Sequence, residues 1–210
     1  FAGPMFNFIV SIAVFALVML AVGVRTTPPQ VAALYDLPPA QFGIAKGDTI
    51  LAIEGKDFPQ GPAYEYIDAL PANAELTYRV QRGDDTLEVS GPQYRPARIG
   101  LVQPRSAGEA AGLLEGDVIL TANGQKIERC QELITIVGAA DGAAVRLTVW
   151  RKGEAEALEF VIQPRLSDLP TEDNSYEKRW LIGISSSTFF EPELETPSVT
   201  DALKVGVNKT

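Results

Sequence analysis

The chain of 210 residues contains no histidine and a single cysteine, Cys130. Without histidine, no HExxH zinc site, Ser-His-Asp triad or Cys-His pair can be assembled inside it. One cysteine excludes an internal disulfide but leaves the compartment open, since secreted bacterial domains often lack disulfides. A phosphate-cradling loop of the GxxxxGKS/T form is also missing. The formal net charge of −9 argues against nucleic acid or anionic lipid as a partner of the polar part. No charge occurs before Arg25, and the chain starts on Phe1 rather than Met, so we expect a piece of something longer.

The uncharged opening, "FAGPMFNFIVSIAVFALVMLAVGV", supplies a span over residues 4–24, close to the roughly 20 apolar residues that a bilayer core asks of a helix. A secretory signal would carry a basic region and a shorter apolar run. A buried soluble helix would not be apolar on every face. The expectation is a transmembrane helix, with Gly3, Pro4 and Asn7 at its entry. About 185 residues follow, enough for one or two domains, and their frequent Gly and Pro predict many turns.

Those residues repeat. "GIAKGDTILAIEGK" at 43–56 aligns without a gap on "GLLEGDVILTANGQ" at 112–125. Gly43, Gly47, Asp48, Ile50, Leu51 and Gly55 match Gly112, Gly116, Asp117, Ile119, Leu120 and Gly124. Further on, "ELTYRVQRGDDTLEV" (75–89) and "VRLTVWRKGEAEALEFV" (145–161) share a pattern of strand, tight turn and strand. Gly43 and Gly112 are expected to end a short helical turn with positive φ. Gly47 and Gly116, each followed by Asp, turn the chain into the strands "TILAI" and "VILTA". Helices are predicted near 62–70 and 128–139; in the second, Cys130, Leu133, Ile134 and Val137 recur on one face.

The stretch "SAGEAAGLLEGDVILTANGQKI" resembles the SPAxxAGLxxGDxIxxxNGxxI signature of bacterial PDZ domains, and "LPPAQFGIAKGDTILAIEGKDF" is a more divergent version. The resemblance implies an α+β fold with two tandem, circularly permuted PDZ-like domains, each a small β-barrel or sandwich with capping helices. The boundaries are 1–26 for the helix and flank, 27–97 and 98–186 for the two domains with a flexible join near 92–98, and 187–210 for a linker and the start of a following helix. In that tail Val199, Leu203 and Val207 fall on one stripe. The opening "AGPMFNFIVSIAVFAL" resembles the AGPxxNFxxA segment of site-2 proteases, membrane-embedded zinc peptidases. In the regulator of sigma-E protease branch, tandem PDZ domains follow such a helix.

The resemblance implies zinc in the full-length protein, held by residues outside this chain, with no catalytic or metal-binding residue inside it. It further implies the bacterial inner membrane as location, PDZ domains in the periplasm, and membrane-spanning substrates such as an anti-sigma factor. The PDZ pair would gate or filter those substrates. The alternative is a membrane-anchored periplasmic PDZ adaptor or secretion-system component without protease activity.

Leu181, Ile182, Gly183 and Ile184 resemble the loop whose N–H groups hold a peptide carboxylate at a PDZ groove, or else belong to an ordinary closing strand. Helix 128–139 would be the other wall. Without a His it does not suit ligands with Ser or Thr two residues before the end, and an apolar last residue is expected. Gly183 is expected to leave room for the ligand backbone. Gly3, Pro4 and Asn7 either shape the helix near an active site or simply start a helix, where Pro is welcome. Cys130 reads as a small buried hydrophobe. Glu172, Asp173, Glu191, Glu193 and Glu195 read as a solvated linker.

Overall fold

The computed structural model describes residues 2–38, 42–171, 175–198 and 200, with side chains from residue 6 onward. Helix α1 (Ala2–Val22) leads into strands β1 (Val24–Arg25) and β2 (Val31–Leu34). The first copy continues with β3 (Thr49–Ile53), β4 (Lys56–Asp57), helix α2 (Tyr64–Asp68), β5 (Glu75–Arg82) and β6 (Asp85–Pro92). The second has β7 (Ile99–Val102), α3 (Ala107–Ala111), β8 (Val118–Ala122), β9 (Gln125–Lys126), α4 (Cys130–Ala139), β10 (Val145–Trp150) and β11 (Leu158–Ile162). A hairpin of β12 (Arg165–Pro170) and β13 (Tyr176–Leu181) precedes the short strands β14 (Ile184–Ser186), β15 (Phe190–Pro192) and β16 (Leu194–Glu195).

Each copy builds the same antiparallel sheet, in the order β4-β3-β5-β6 and β9-β8-β10-β11. Alternation decides which face is buried: Leu76, Tyr78 and Val80 point inward from β5, and Val145, Leu147 and Val149 from β10. The loop glycines separate the copies. Gly112 closes α3 with φ +87, a conformation that is cheap for glycine alone. Gly43 has no positive φ, contrary to expectation. It is held by space, because a Cβ there would lie 2.9 Å from Val89 Cβ.

The two copies are interleaved rather than strung in sequence. Strand β14 closes the second copy by pairing with β7, Ile184 opposite Val102. Strand β15 then pairs with β2, Phe190 opposite Leu34. Phe189 and Phe190 are fully buried in the first core with Ile50, Ile53, Tyr78 and Tyr94. Residues 187–195, expected as linker, therefore complete the first copy and extend its boundary beyond residue 97. Glu191, Glu193 and Glu195 are solvated as expected, but they sit on backbone that pairs with β2 and β1. Glu172 and Asp173 lie outside the described residues, as do Val199, Leu203 and Val207.

The join near 92–98 is packed, not flexible. Tyr94 packs edge-to-face against Phe189 and Phe190 and tilted against Phe58, and the buried Gln93 amide donates to Pro71 O at 2.7 Å. Burial pushes the Tyr94 phenol up to about 12, against the opposing charges of Arg25 and Arg95. Burial likewise holds the Tyr78 phenol well above its ordinary value. A phenol raised in the folded state favours folding fully below the unfolded value near 10, and that contribution is lost as pH rises through about 12. Urea unfolding at pH 9 and pH 11 should show a marked fall in stability, which Tyr94→Phe should reduce. An unchanged pH response in Tyr94→Phe would refute this role.

The copies also touch side on. Val118 enters the first core, with Leu120 and Trp150 packed against it. Arg129 Nη1 donates to Leu70 O at 3.0 Å, the Arg98 guanidinium lies 3.9 Å over the Tyr35 ring, and Lys152 pairs with Asp36 at 2.7 Å. That last pair is exposed, so it adds little stability.

Helix α1 covers the expected span, is 21 residues long and carries no charge. Among the described residues, no helix is long and apolar enough to cross a membrane. The transmembrane helix expected at 4–24 is thus not shown by the fold. Strand β1 pairs with β16, Val24 opposite Glu195, so the chain leaves the two copies beside the point where it entered them.

Candidate peptide-binding grooves

The bond pattern along residues 183–193 dictates which backbone groups are free. Gln103 N–H donates to Gly183 O, and Ser187 N–H to Arg98 O. In an antiparallel ladder alternate residues face the partner, so Ile184 and Ser186 turn their N–H and C=O groups outward, toward α4. The same alternation holds one step on. Tyr35 N–H donates to Phe189 O, and Glu193 N–H to Gln30 O, leaving Phe190 to face outward, toward α2. Both strands belong to two-stranded sheets; the outer edge of β14 has no strand partner among the described residues, whereas the buried Phe190 of β15 accepts at its carbonyl from Thr188 Oγ1 at 2.5 Å.

In the second groove, α4 runs opposite β14. Glu132 anchors its start by accepting from Glu128 N–H at 2.8 Å and Arg129 N–H at 3.3 Å. Leu133 and Val137 are buried in the core, while Ile134 is 51 % exposed and free to meet a ligand. Cys130 and Ser186 face each other across the groove in a cleft that Arg95, Gln131 and Ile134 also line. Burial pushes the Cys130 thiol up, against its hydrogen bond with Ser186. A thiol held protonated is a poor nucleophile.

The four loop residues differ in position. Leu181 ends β13 and pairs with Arg165. Ile182 is buried, its carbonyl accepting from Gly108 N–H at 2.7 Å. Among the described residues, the N–H groups of Ile182 and Gly183 donate to nothing. Free N–H groups beside an open strand edge are what strand addition and carboxylate capture require. Gly183 has φ +74, and a Cβ there would lie 2.2 Å from Ser106 Cβ. Its need for glycine arises from the Ser106 turn behind the loop, not from ligand backbone in front. Trp180 seals the end of this region, with Nε1 donating to Asp141 Oδ1 at 2.9 Å.

The first groove lies between α2 and β15, lined by Tyr64, Ile67, Tyr94, Arg95, Phe190 and Pro192 among others. Ile67 and Arg95 line the second cleft too, so the grooves meet there. Sequence reasoning missed this groove because its strand is supplied from beyond the second copy.

Asp48 and Asp117 stand at the far side of each sheet and are buried. Asp117 accepts from Arg151 Nε at 2.7 Å and from Leu114 N–H at 2.9 Å. Asp48 accepts from Arg82 Nε at 2.7 Å and from Ala45 N–H at 2.8 Å. Each Arg also donates to the loop carbonyl, Gly112 O or Gly43 O. These sites hold the turn that leads into β3 or β8. The offset that relates the glycines also relates Arg82 to Arg151, a signal available in the sequence but not used.

Asn7 is exposed on α1, and nothing is described of the side-chain surroundings of residues 3 and 4. Among the described residues, no group of three or more His, Cys, Asp or Glu side chains could hold a metal ion. The described side chains do not fit a zinc centre.

Residues 98–151 match the family model for the PDZ domain. The chain is similar to regulator of sigma-E protease RseP of Salmonella typhimurium (strain 14028s / SGSC 2262), 28% identical over 188 residues that cover 75% of this chain and 41% of the relative. It is 28% identical to regulator of sigma-E protease RseP of Escherichia coli (strain K12), over 81% of this chain and 47% of that protein. A Treponema pallidum (strain Nichols) protein named "Putative zinc metalloprotease" is 27% identical over 73% of this chain and 39% of its own length. The chain thus spans less than half the length of these relatives. With the PDZ match inside a repeat whose two copies share one sheet order, the chain contains a PDZ domain at residues 98–151 and is similar to a PDZ-containing segment of these relatives.

Proposed function

We propose that this chain is the non-catalytic middle portion of a membrane-embedded zinc metalloprotease that cleaves membrane-spanning substrates, with its PDZ pair filtering what reaches the active site. The observation that carries the reading is the pairing of β1 with β16. A unit whose two ends meet at the foot of an apolar helix suits insertion between two membrane segments. Helix α1 supports the same reading. It carries no charge over its 21 residues. It also presents Phe6, Ile9, Leu17 and Val22 to its surroundings. In this reading α1 spans the bacterial inner membrane and the PDZ pair stands in the periplasm. Zinc is held by parts of the full-length protein outside this chain and supplies the activated water for peptide hydrolysis.

An anti-sigma factor is a substrate of the kind that relatives named for sigma-E regulation suggest. Within the PDZ pair, Ile182 and Gly183 N–H would receive a newly made carboxyl terminus, and Leu181, Ile184 and Ile134 an apolar last side chain. A membrane-anchored PDZ adaptor would share the fold and lack the hydrolysis.

The full-length protein tests this. In it, residues 26–193 are replaced by Asn-Gly, a turn that lets Arg25 and Leu194 stay paired. Cleavage of a membrane-spanning reporter is then followed with its outer domain intact or removed. The unaltered protein should cut only the trimmed reporter, and the shortened one both. No zinc-dependent cleavage in either protein would favour the adaptor, and unchanged exclusion in the shortened protein would refute the filter.

A further inference from the structure

Charge is distributed unevenly around the foot of α1. The chain carries a net −9, which speaks against anionic lipid over its polar surface as a whole. The cleft beside β1 is an exception: Arg25 and Arg95 line it and no carboxylate does. Alternation along the strands produces this. Phe190 and Pro192 face the cleft, so Glu191 and Glu193 point to the other side. Arg25 stands opposite Leu194, and Val24 opposite Glu195, so Glu195 also lies on the face away from Arg25. Asp68 borders Arg95 from the second cleft. Among the described residues, neither arginine forms an ion pair.

The two guanidiniums share one neighbourhood. Both arginines lie close enough to Tyr94 for their charges to act on its phenol. Arg95 is half-buried and sits 5.4 Å over the Tyr64 ring, which holds it against α2. Arg25 is exposed and follows α1 directly in β1. Thr27 and Tyr64 add hydroxyl groups to the same lining. A guanidinium fork matches two oxygens of a phosphate, and charge-assisted hydrogen bonds of this kind are strong.

The surroundings select the carrier of that phosphate. Val22, Tyr64 and Leu194 are exposed beside the arginines, and α1 itself carries no charge. Cationic groups next to an exposed Tyr and an uncharged apolar helix suit the boundary between bilayer and water. Strand addition by a peptide is not open at this edge. Phe190 O already accepts from Thr188 Oγ1, and Pro192 has no N–H to offer. A headgroup needs neither.

We propose that Arg25 and Arg95 bind the phosphate of an anionic phospholipid headgroup whose acyl chains run along α1. The proposal rests on the reading of α1 as a membrane span. It adds a lipid contact that holds the PDZ pair at a fixed height over the bilayer surface.

The test uses the whole chain in neutral detergent with two short-chain lipids, dihexanoyl phosphatidylglycerol and dihexanoyl phosphatidylcholine. Identical tails make the ratio of the two affinities report the headgroup alone. By calorimetry at low salt, phosphatidylglycerol should bind at least roughly tenfold more tightly, since each arginine near a bilayer surface favours anionic lipid by roughly fivefold. Raising the salt should shrink the ratio. R25Q and R95Q should each cut it by roughly fivefold, and the double variant should bring it close to one. R25Q alters an exposed side chain, so it remains readable if R95Q fails to fold. Equal binding of the two lipids overturns the proposal, as does a ratio unchanged in R25Q. Displacement of phosphatidylglycerol by an equal concentration of inorganic phosphate overturns it in favour of a free-phosphate site. Displacement by an end-blocked octapeptide alternating Val with Glu overturns it in favour of an acidic peptide. Any of these failures leaves the reporter cleavage result standing, because that experiment reads exclusion by size and not a choice of lipid.

Discussion

A chain ended after Ser187 should lose the first copy and keep the second. The cut removes β15 and with it Phe189 and Phe190, both fully buried in the first core. Removing one buried Phe side chain costs about 3–5 kcal/mol, and two, together with the β15–β2 pairing, match or exceed the stability of a small domain, about 5–15 kcal/mol. The second core keeps all its members, since it draws on nothing beyond Ile182 and the adjoining Ile184. Amide exchange should show β3, β5 and β6 unprotected while β8, β10 and α4 stay slow. Protection retained in β5 would mean that residues 27–97 fold without the returning strand, and the interleaved core would be wrong.

Asp117→Ala should be nearly as damaging, for a different reason. The carboxylate is buried and answers three donors, two on Arg151 and one at Leu114 N–H. Deleting one partner of a buried pair costs about 3–5 kcal/mol, because the other charge loses its compensation. Arg151 keeps partial contact with water, with a side-chain exposure of 22%, which places the effect toward the lower end. Asp48→Ala should do the same to the first copy through Arg82. Native-state exchange in β8 and β10 reads the first substitution, and in β3 and β5 the second, so each is scored within its own copy. A loss below about 1 kcal/mol in β8 for Asp117→Ala would show that the turn is held by its backbone alone.

These results bear on how much could be read from the residues. The sheets were legible because their signals are local. Leu76, Tyr78 and Val80 alternate within one strand, and Gly47-Asp48 and Gly116-Asp117 mark equivalent turns. The partners of those aspartates were less visible, since Arg82 and Arg151 each lie 34 residues away in the chain. The closing strand β15 was not legible. It has three residues, Phe190, Glu191 and Pro192, followed by Glu193, so neither periodicity nor composition separates it from a linker. What makes it a strand is a partner more than 150 residues earlier, at Val31 and Leu34. Gly183 failed similarly: its loop was identified, but the atom that excludes a side chain there belongs to Ser106. The packed join at Tyr94 was hidden for the same reason, because its ring partners include Phe189 and Phe190.

The interleaving also sets an order of events on the ribosome. Tyr94 emerges about 95 residues before Phe189. At about 5–20 residues per second, the first core waits roughly 5–20 s with Tyr78, Tyr94 and Ile50 uncovered. The second copy needs nothing beyond Ile184 and closes first, giving the waiting half a surface at Val118, Leu120 and Trp150. The copy written first in the gene is then the last to fold, and a pause in translation between residues 94 and 189 prolongs the interval in which a chaperone or protease can seize it.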